Sequence, residues 1–366
     1  MKNRFTNPNV EPWYLWIFRR RDILPALTVY FLSSRNSTSP RFFPLYENSK
    51  NYRIIIFRGM KLPYMDRFSL MFLRYFCRVF HKKLSRYKWV SIYDQKAMLK
   101  LKTNLILHLD DPEYTVSEKE SLLQIAKSQS EKNLRTKLFL TNYFTYEHYR
   151  NLSVNIEFII LSQGYNAISD ERIISDERTF ESDSNHFSVV YSSPYIDYIG
   201  DKHEKHTAWS AVHLIDEIIP KLYEKDPKIT VRLIGRVGKE AAKKLVVYEN
   251  VQSLGLVNFR ENSKLLMDSS IGIYTRKFDH KRSVQKIFEY AGAGLPIVSY
   301  RLVDTSAVEE HGWGILVDTP EQFVEAILFL KENISEFNNF KKRIAKNKKQ
   351  FSWIELAKQY DLEVLT

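Results

Sequence analysis

The chain has 366 residues, 55 basic against 43 acidic side chains, a net charge of +12 and one cysteine, Cys77. That length can bury two cores, and a lone cysteine excludes an intrachain disulfide. No apolar run reaches the roughly 18 to 20 residues that span a bilayer, so a cytoplasmic protein is expected, soluble or peripheral on the membrane face. Glycine is lopsided: before Gly164 the only one is Gly59, whereas nine of the eleven lie from Gly200 onward. The N-terminal half therefore has no glycine-rich loop.

Near the start, Trp13 to Phe18 is too short for a signal core, and Arg19, Arg20 and Arg21 follow it rather than precede it. Tyr52 or Arg53 to Phe57 reads as the first strand. Residues 66–87 have helical spacing: Phe68, Phe72, Tyr75, Phe76 and Val79 form an apolar stripe, with Arg67, Arg74, Arg78 and Lys82 opposite. Such a helix either lies on anionic lipid or packs on a sheet with its basic face solvated. Strands follow at Trp89–Tyr93 and Leu105–Leu109, and the second runs into Asp110, Asp111 and Pro112. The carboxyl ends of parallel strands point into the ligand crevice, where Asp111 or Asp110 can act as a general base. Asp94 is the rival, and Asp before Pro is also ordinary turn chemistry.

Leu138–Thr141 and Glu157–Leu161 read as the last strands of a first domain, residues 1–165. Residues 166–186 form a polar linker with a tandem echo, Ile168 to Arg172 and Ile174 to Arg178. Two short copies do not make a solenoid. The second domain, 187–366, alternates strands and helices. Thr230–Arg236 is a strand ending on Gly235 and Arg236, and another lies between Asn250 and Val257. Ser263–Ser269 is a short helix, Ile271–Tyr274 a strand, Gly312–Val317 a further strand, and Pro320–Lys331 a helix. This alternation predicts a parallel sheet with helices on both faces.

The most informative stretch is Ser283 to Tyr300. Ser283 can cap a helix whose third residue is Lys286. The helix closes on Gly292 and Gly294, and Leu295-Pro296 turns into the strand Ile297–Tyr300. Val284, Ile287, Phe288 and Ala291 cover one face, leaving Lys286 and Glu289 three apart on the other. A cation near a helix N-terminus suits phosphate, and a carboxylate one turn later suits a vicinal diol.

This segment, with the preceding Leu-Ile-Gly and following Gly-Ile-Leu-Val strands, resembles the nucleotide-sugar-binding domain of the GT-B glycosyltransferases of the group 1, family-4-like class. The likeness covers roughly residues 185–360 and is much weaker before that. It implies an α/β GT-B architecture: two Rossmann-like doubly wound domains facing a central cleft. It implies a metal-independent glycosyltransferase that moves a sugar from a nucleotide-diphosphate donor to an acceptor hydroxyl, in polysaccharide or lipid-linked glycan synthesis. Lys286, Arg236 and Lys205, with Gly235, would hold the diphosphate, and Glu289 the ribose. No cofactor is expected beyond the donor substrate. The partners would be the nucleotide sugar, a glycan or lipid-linked acceptor and an anionic membrane surface. One position departs from the family: the acidic residue eight places before Glu289 is Lys281, which leaves its role to Asp279 or to none. The alternative reading is a basic, nucleic-acid-associated relative of the same fold, either non-catalytic or glycosylating DNA, although no helix-turn-helix, RNP or zinc-finger pattern is present.

Overall fold

The computed structural model describes residues 54–56, 89–91, 104–109, 116–152, 156–165, 187–198, 211–257, 259–277, 279, 281 and 284–365. The chain divides into two compact units, one reaching to Gln163 and including Trp353–Thr366, the other Gly164–Ser352.

The first unit is built on a parallel sheet whose described strands stand in chain order: β1 (Ile54–Ile56), β2 (Trp89–Ser91), β3 (Asn104–Leu109), β4 (Thr136–Leu140) and β5 (Ile156–Ile160). Helix α1 (Val116–Ser130) connects β3 to β4, and α2 (Tyr143–Tyr149) connects β4 to β5. Asn142 starts α2 by accepting the Thr145 N–H at 2.8 Å, satisfying one of the free donors of the first turn.

All five residues of β4 are buried, as a strand covered on both faces should be. They include Lys137, whose ammonium lies 3.1 Å from Glu157 on β5 and donates to the Glu363 carbonyl. Glu363 belongs to α10 (Trp353–Leu365), and the Tyr360 ring of that helix packs 5.1 Å from Phe139. This corrects the sequence reading of 187–366 as one domain. The final helix completes the core of the first unit, because the sheet needs apolar cover that Trp353, Leu356, Ala357 and Tyr360 supply.

In the second unit the strands are β6 (Ser188–Ile196), β7 (Thr230–Val237), β8 (Val251–Gly255), β9 (Ile271–Tyr274), β10 (Ile297–Tyr300) and β11 (Gly314–Val317). All are parallel, in the order β11-β10-β9-β6-β7-β8. The chain winds outward from β6 to β8, then restarts on the other side of β6 with β9. That reversal makes the gap between β6 and β9 the switch point of a doubly wound sheet, the place where such sheets bind ligands.

The helices are α3 (Ile219–Lys225), continuous with a preceding π-helical turn at Leu214–Ile218, α4 (Lys239–Leu245), α5 (Phe259–Met267), α6 (Gln285–Gly292), α7 (Ala307–Glu310), α8 (Pro320–Glu332) and α9 (Ile334–Asn347). Side chains alternate between two cores along β6: Val189 and Tyr191 join the cluster of Leu214, Leu233 and Phe323, whereas Val190 joins that of Phe288, Ile297 and Trp313. The run Val189-Val190-Tyr191 is apolar at consecutive positions because both faces are covered.

Candidate functional site

Helix α6 carries the site. Val284 precedes it in extended conformation without a side-chain cap, so the helix opens at Gln285 and Lys286 is its second residue rather than its third. Ser283, expected to cap it, lies outside the described residues. Ile287, Phe288, Tyr290 and Ala291 are buried, and Phe288 packs edge-on against Trp313 at 5.6 Å. Gly294 ends the segment with φ +81°, the left-handed conformation expected of it. Gly292 serves differently: a Cβ there would lie 2.4 Å from the Tyr165 ring. The Gly292 carbonyl accepts a 3.0 Å bond from Lys348, placing a cation at the negative end of the helix.

The second face of α6, which carries Lys286 and Glu289, is half-buried over the switch point. The Lys286 ammonium stands 5.1 Å from the ring centre of Tyr191 on β6 and 5.9 Å from that of Tyr274 on β9. It thus stands over a side chain from each of the two strands that part there. Glu289 lies one turn further on and accepts a 3.0 Å bond from Gln285.

Loss of water brings Lys286 down to about 8; attraction from Glu289 opposes this shift, and the positive charge of Arg276 adds to it. Burial likewise pushes Glu289 up to about 7, against the stabilising effects of Lys286 and Gln285. A cation and a carboxylate held short of water at a switch point are poised to exchange that water for a polyanion and for hydroxyl donors.

The remaining predicted residues divide into those described and those not. Arg236 is exposed near the carboxyl end of β7, in register with Tyr195 of β6. Gly235 beside it has φ +142°, and a Cβ there would fall 1.6 Å from the Ser193 carbonyl oxygen at the β6 irregularity. Close strand approach therefore requires this glycine. Lys205, Asp110, Asp111 and the rival Asp94 lie outside the described residues.

Asp279 is a clip in the loop before α6. Its carboxylate accepts from the backbone N–H groups of Lys281 at 2.8 Å, Val303 at 2.9 Å and Asp304 at 3.3 Å. Burial disfavours its charge, but these donors overcome that and hold the carboxyl below its ordinary range. With both oxygens so engaged, Asp279 fastens the loop to the turn after β10.

Four further residues of the site were not read from the sequence: Tyr191, Tyr274, Gln285 and Arg276. Arg276 follows the end of β9 as Arg236 ends β7, so the same strand-end argument would have found it. Tyr274 read only as the end of a strand, and Tyr191 was not singled out. Among the described residues no three His, Cys, Asp or Glu side chains gather as a metal-ligand set.

Residues 194–333 match the family model of the glycosyl transferases group 1, a span that holds Arg236, Arg276, Lys286 and Glu289. No curated protein matches the chain in sequence. Among solved structures it is similar to Anabaena HepE in complex with UDP, at 15% identity and TM-score 0.62 over 92% of this chain and 98% of that one. It is also similar to the pneumococcal O-GlcNAc transferase GtfA in complex with UDP and GlcNAc, at 11% identity and TM-score 0.55 over 80% of this chain. A third similarity is to S. aureus TarM with UDP, at 15% identity and TM-score 0.53 over 79% of this chain. The chain spans 60% of GtfA and 58% of that TarM structure. The chain has the GT-B fold of two parallel α/β units, and residues 194–333 are similar to the group 1 glycosyl transferases.

Proposed function

We propose that the chain transfers a sugar from a nucleotide-diphosphate donor to an acceptor hydroxyl, a reading supported by the match of residues 194–333 to the group 1 glycosyl transferase model. The observation that carries this reading is the half-buried Lys286–Glu289 pair at the β6–β9 switch point. Glu289 accepts hydrogen bonds from the two ribose hydroxyls. Lys286, with Arg236, Gly235 and Lys205, faces the diphosphate.

In the transfer the acceptor oxygen bonds to the anomeric carbon while the bond from that carbon to the diphosphate oxygen breaks. The electron pair departs on the diphosphate, whose growing charge the cations neutralise without a metal ion. The hydroxyl proton passes to Asp111 or its neighbour Asp110 in an inverting reaction. UDP is the first nucleotide to try, because the HepE, GtfA and TarM complexes hold it.

The acceptor proposed is a glycan or a lipid-linked sugar met at an anionic membrane surface. Support for the surface is the net charge of +12 and the basic pattern of residues 66–87. Sedimentation with anionic vesicles at low salt, reversed by added salt, tests that part alone.

A donor-hydrolysis screen across nucleotide sugars tests the activity, with calorimetry against nucleotide diphosphates and duplex DNA beside it. Release of sugar from one donor, with micromolar affinity for its nucleotide, is the expected result. Affinity for duplex DNA and none for any nucleotide would replace this reading with the nucleic-acid one.

A further inference from the structure

The π-helical turn Leu214–Ile218 has no place in the donor chemistry, yet it sits beside it. Ala211, just before it, donates its backbone N–H to the Asp197 carbonyl at 2.8 Å, which returns the chain to the carboxyl end of β6. π-helical turns are rare and collect at functional sites.

This turn exposes two adjacent carboxylates in different directions. Asp216 accepts from the Tyr198 hydroxyl at 2.6 Å and from Lys244 at 2.8 Å, tying it to the end of β6 and to α4. Glu217 accepts from Lys277 at 2.7 Å through one oxygen and lies 2.9 Å from His213 through the other. The Lys277 ammonium also stands 5.2 Å from the Tyr300 ring on β10.

Lys277 lies three residues past β9, next to Arg276, in the loop that leads to Lys286. The Asp279 clip holds the same loop to the turn after β10. The loop is therefore fastened on both sides of the switch point: by Glu217 to the segment after β6, and by Asp279 to the segment after β10. Both Glu217 and Lys277 are only about one-third exposed, so their attraction is stronger than that of a surface pair.

We infer that the Glu217–Lys277 ion pair is a positioning device that aims the β9–α6 loop, with Arg276 and Lys286, at the donor diphosphate. The inference rests on the donor-binding reading above. Glu217 and Lys277 touch no substrate in this scheme; they act through the loop. Glu289, further along α6, is held by the helix packing and does not depend on them.

The test is calorimetry of the full chain with UDP and with uridine, on Glu217→Gln, Lys277→Met, Lys277→Arg and the exchange Glu217→Lys with Lys277→Glu. Glu217→Gln and Lys277→Met should each weaken UDP about tenfold and leave uridine within about twofold. Lys277→Arg keeps the charge and should bind UDP as the wild type does, and the exchange should recover most of the loss. Wild-type affinity in both neutral variants overturns the inference. So does an equal loss for uridine, which would mean general loosening, or an exchange no better than its components. Absence of nucleotide affinity in the wild-type chain overturns the donor-binding reading itself, and this inference with it.

Discussion

The backbone N–H of Ser192 on β6 donates to the Tyr290 hydroxyl on α6 at 3.0 Å, and that hydroxyl donates on to the Ile273 carbonyl of β9 at 3.2 Å. β6 and β9 pair only through Val189–Ile271 and Val190–Gly272 before they part. Tyr290 thus splices the two strands where their ladder ends, and its ring occupies the space above Gly272, where a Cβ would lie 2.6 Å away. The residue beside it, Glu289, is fixed relative to the switch point by this bond.

Tyr290→Phe keeps the ring but leaves a buried donor and a buried acceptor unpaired. Each unsatisfied group costs about 1 to 3 kcal/mol. Urea unfolding should show a loss of about 2 to 6 kcal/mol for the two groups together, and UDP affinity should fall as well, because Lys286 and Glu289 ride on the same helix. Unchanged stability would mean that the strands close without the hydroxyl.

Glu289→Gln removes a charge-assisted acceptor while keeping shape. A hydrogen bond to a charged group is worth about 1.5 to 3 kcal/mol, so UDP affinity should fall roughly ten- to a hundredfold with the fold intact. Calorimetry that returns the wild-type affinity would remove the ribose assignment.

Lys286→Ala should weaken UDP far more than uridine, because in the proposed site only the diphosphate faces the ammonium. Arg236→Ala tests whether the exposed strand-end cation contributes to the same contact: it should lower UDP affinity and spare uridine. Equal losses for both ligands in Lys286→Ala would mean that the lysine is a packing element between Tyr191 and Tyr274.

Much of the second unit was legible because its strands are apolar runs closed by glycine or followed by helical spacing. Thr230–Arg236, Ile271–Tyr274 and Ile297–Tyr300 lie within one residue of the observed limits. The helix read from Ser263 starts earlier, at Phe259. Lys286 and Glu289 were found because helical periodicity puts them on one face. Their environment could not be read: whether that face meets water or a strand gap depends on which strands lie beneath, and sheet order has no local signature. The same limit hid Tyr191, Tyr274 and the Glu217–Lys277 pair, 60 residues apart in sequence. It also hid the return of Trp353–Thr366 to the first unit, since an amphipathic helix does not specify the sheet it covers. Gly235, read as a ligand contact, also meets a packing need that spacing alone could not show, because a Cβ there would fall on the Ser193 carbonyl.

The pH dependence of stability separates the two site residues. The folded-state value of Glu289, about 7, lies above its ordinary 4.5. Between those values the folded state keeps a proton that the unfolded state has released, so this contribution is present below about 4.5 and lost as pH rises through about 7. Lys286, about 8, lies below its ordinary 10.5. There the unfolded state holds the extra proton, so stability rises with pH from about 8 toward 10.5. Urea unfolding of the wild type minus that of Glu289→Gln should therefore decline between about pH 5 and 7. The same difference against Lys286→Met should climb between about pH 8 and 10. A donor that needs both charges binds best between the two windows, near pH 7 to 8, and Glu289→Gln should lose the protein's share of the acid limb in UDP affinity. Stability curves parallel to the wild type in both variants would show that neither group is held away from water, and the half-buried pair would no longer account for the site.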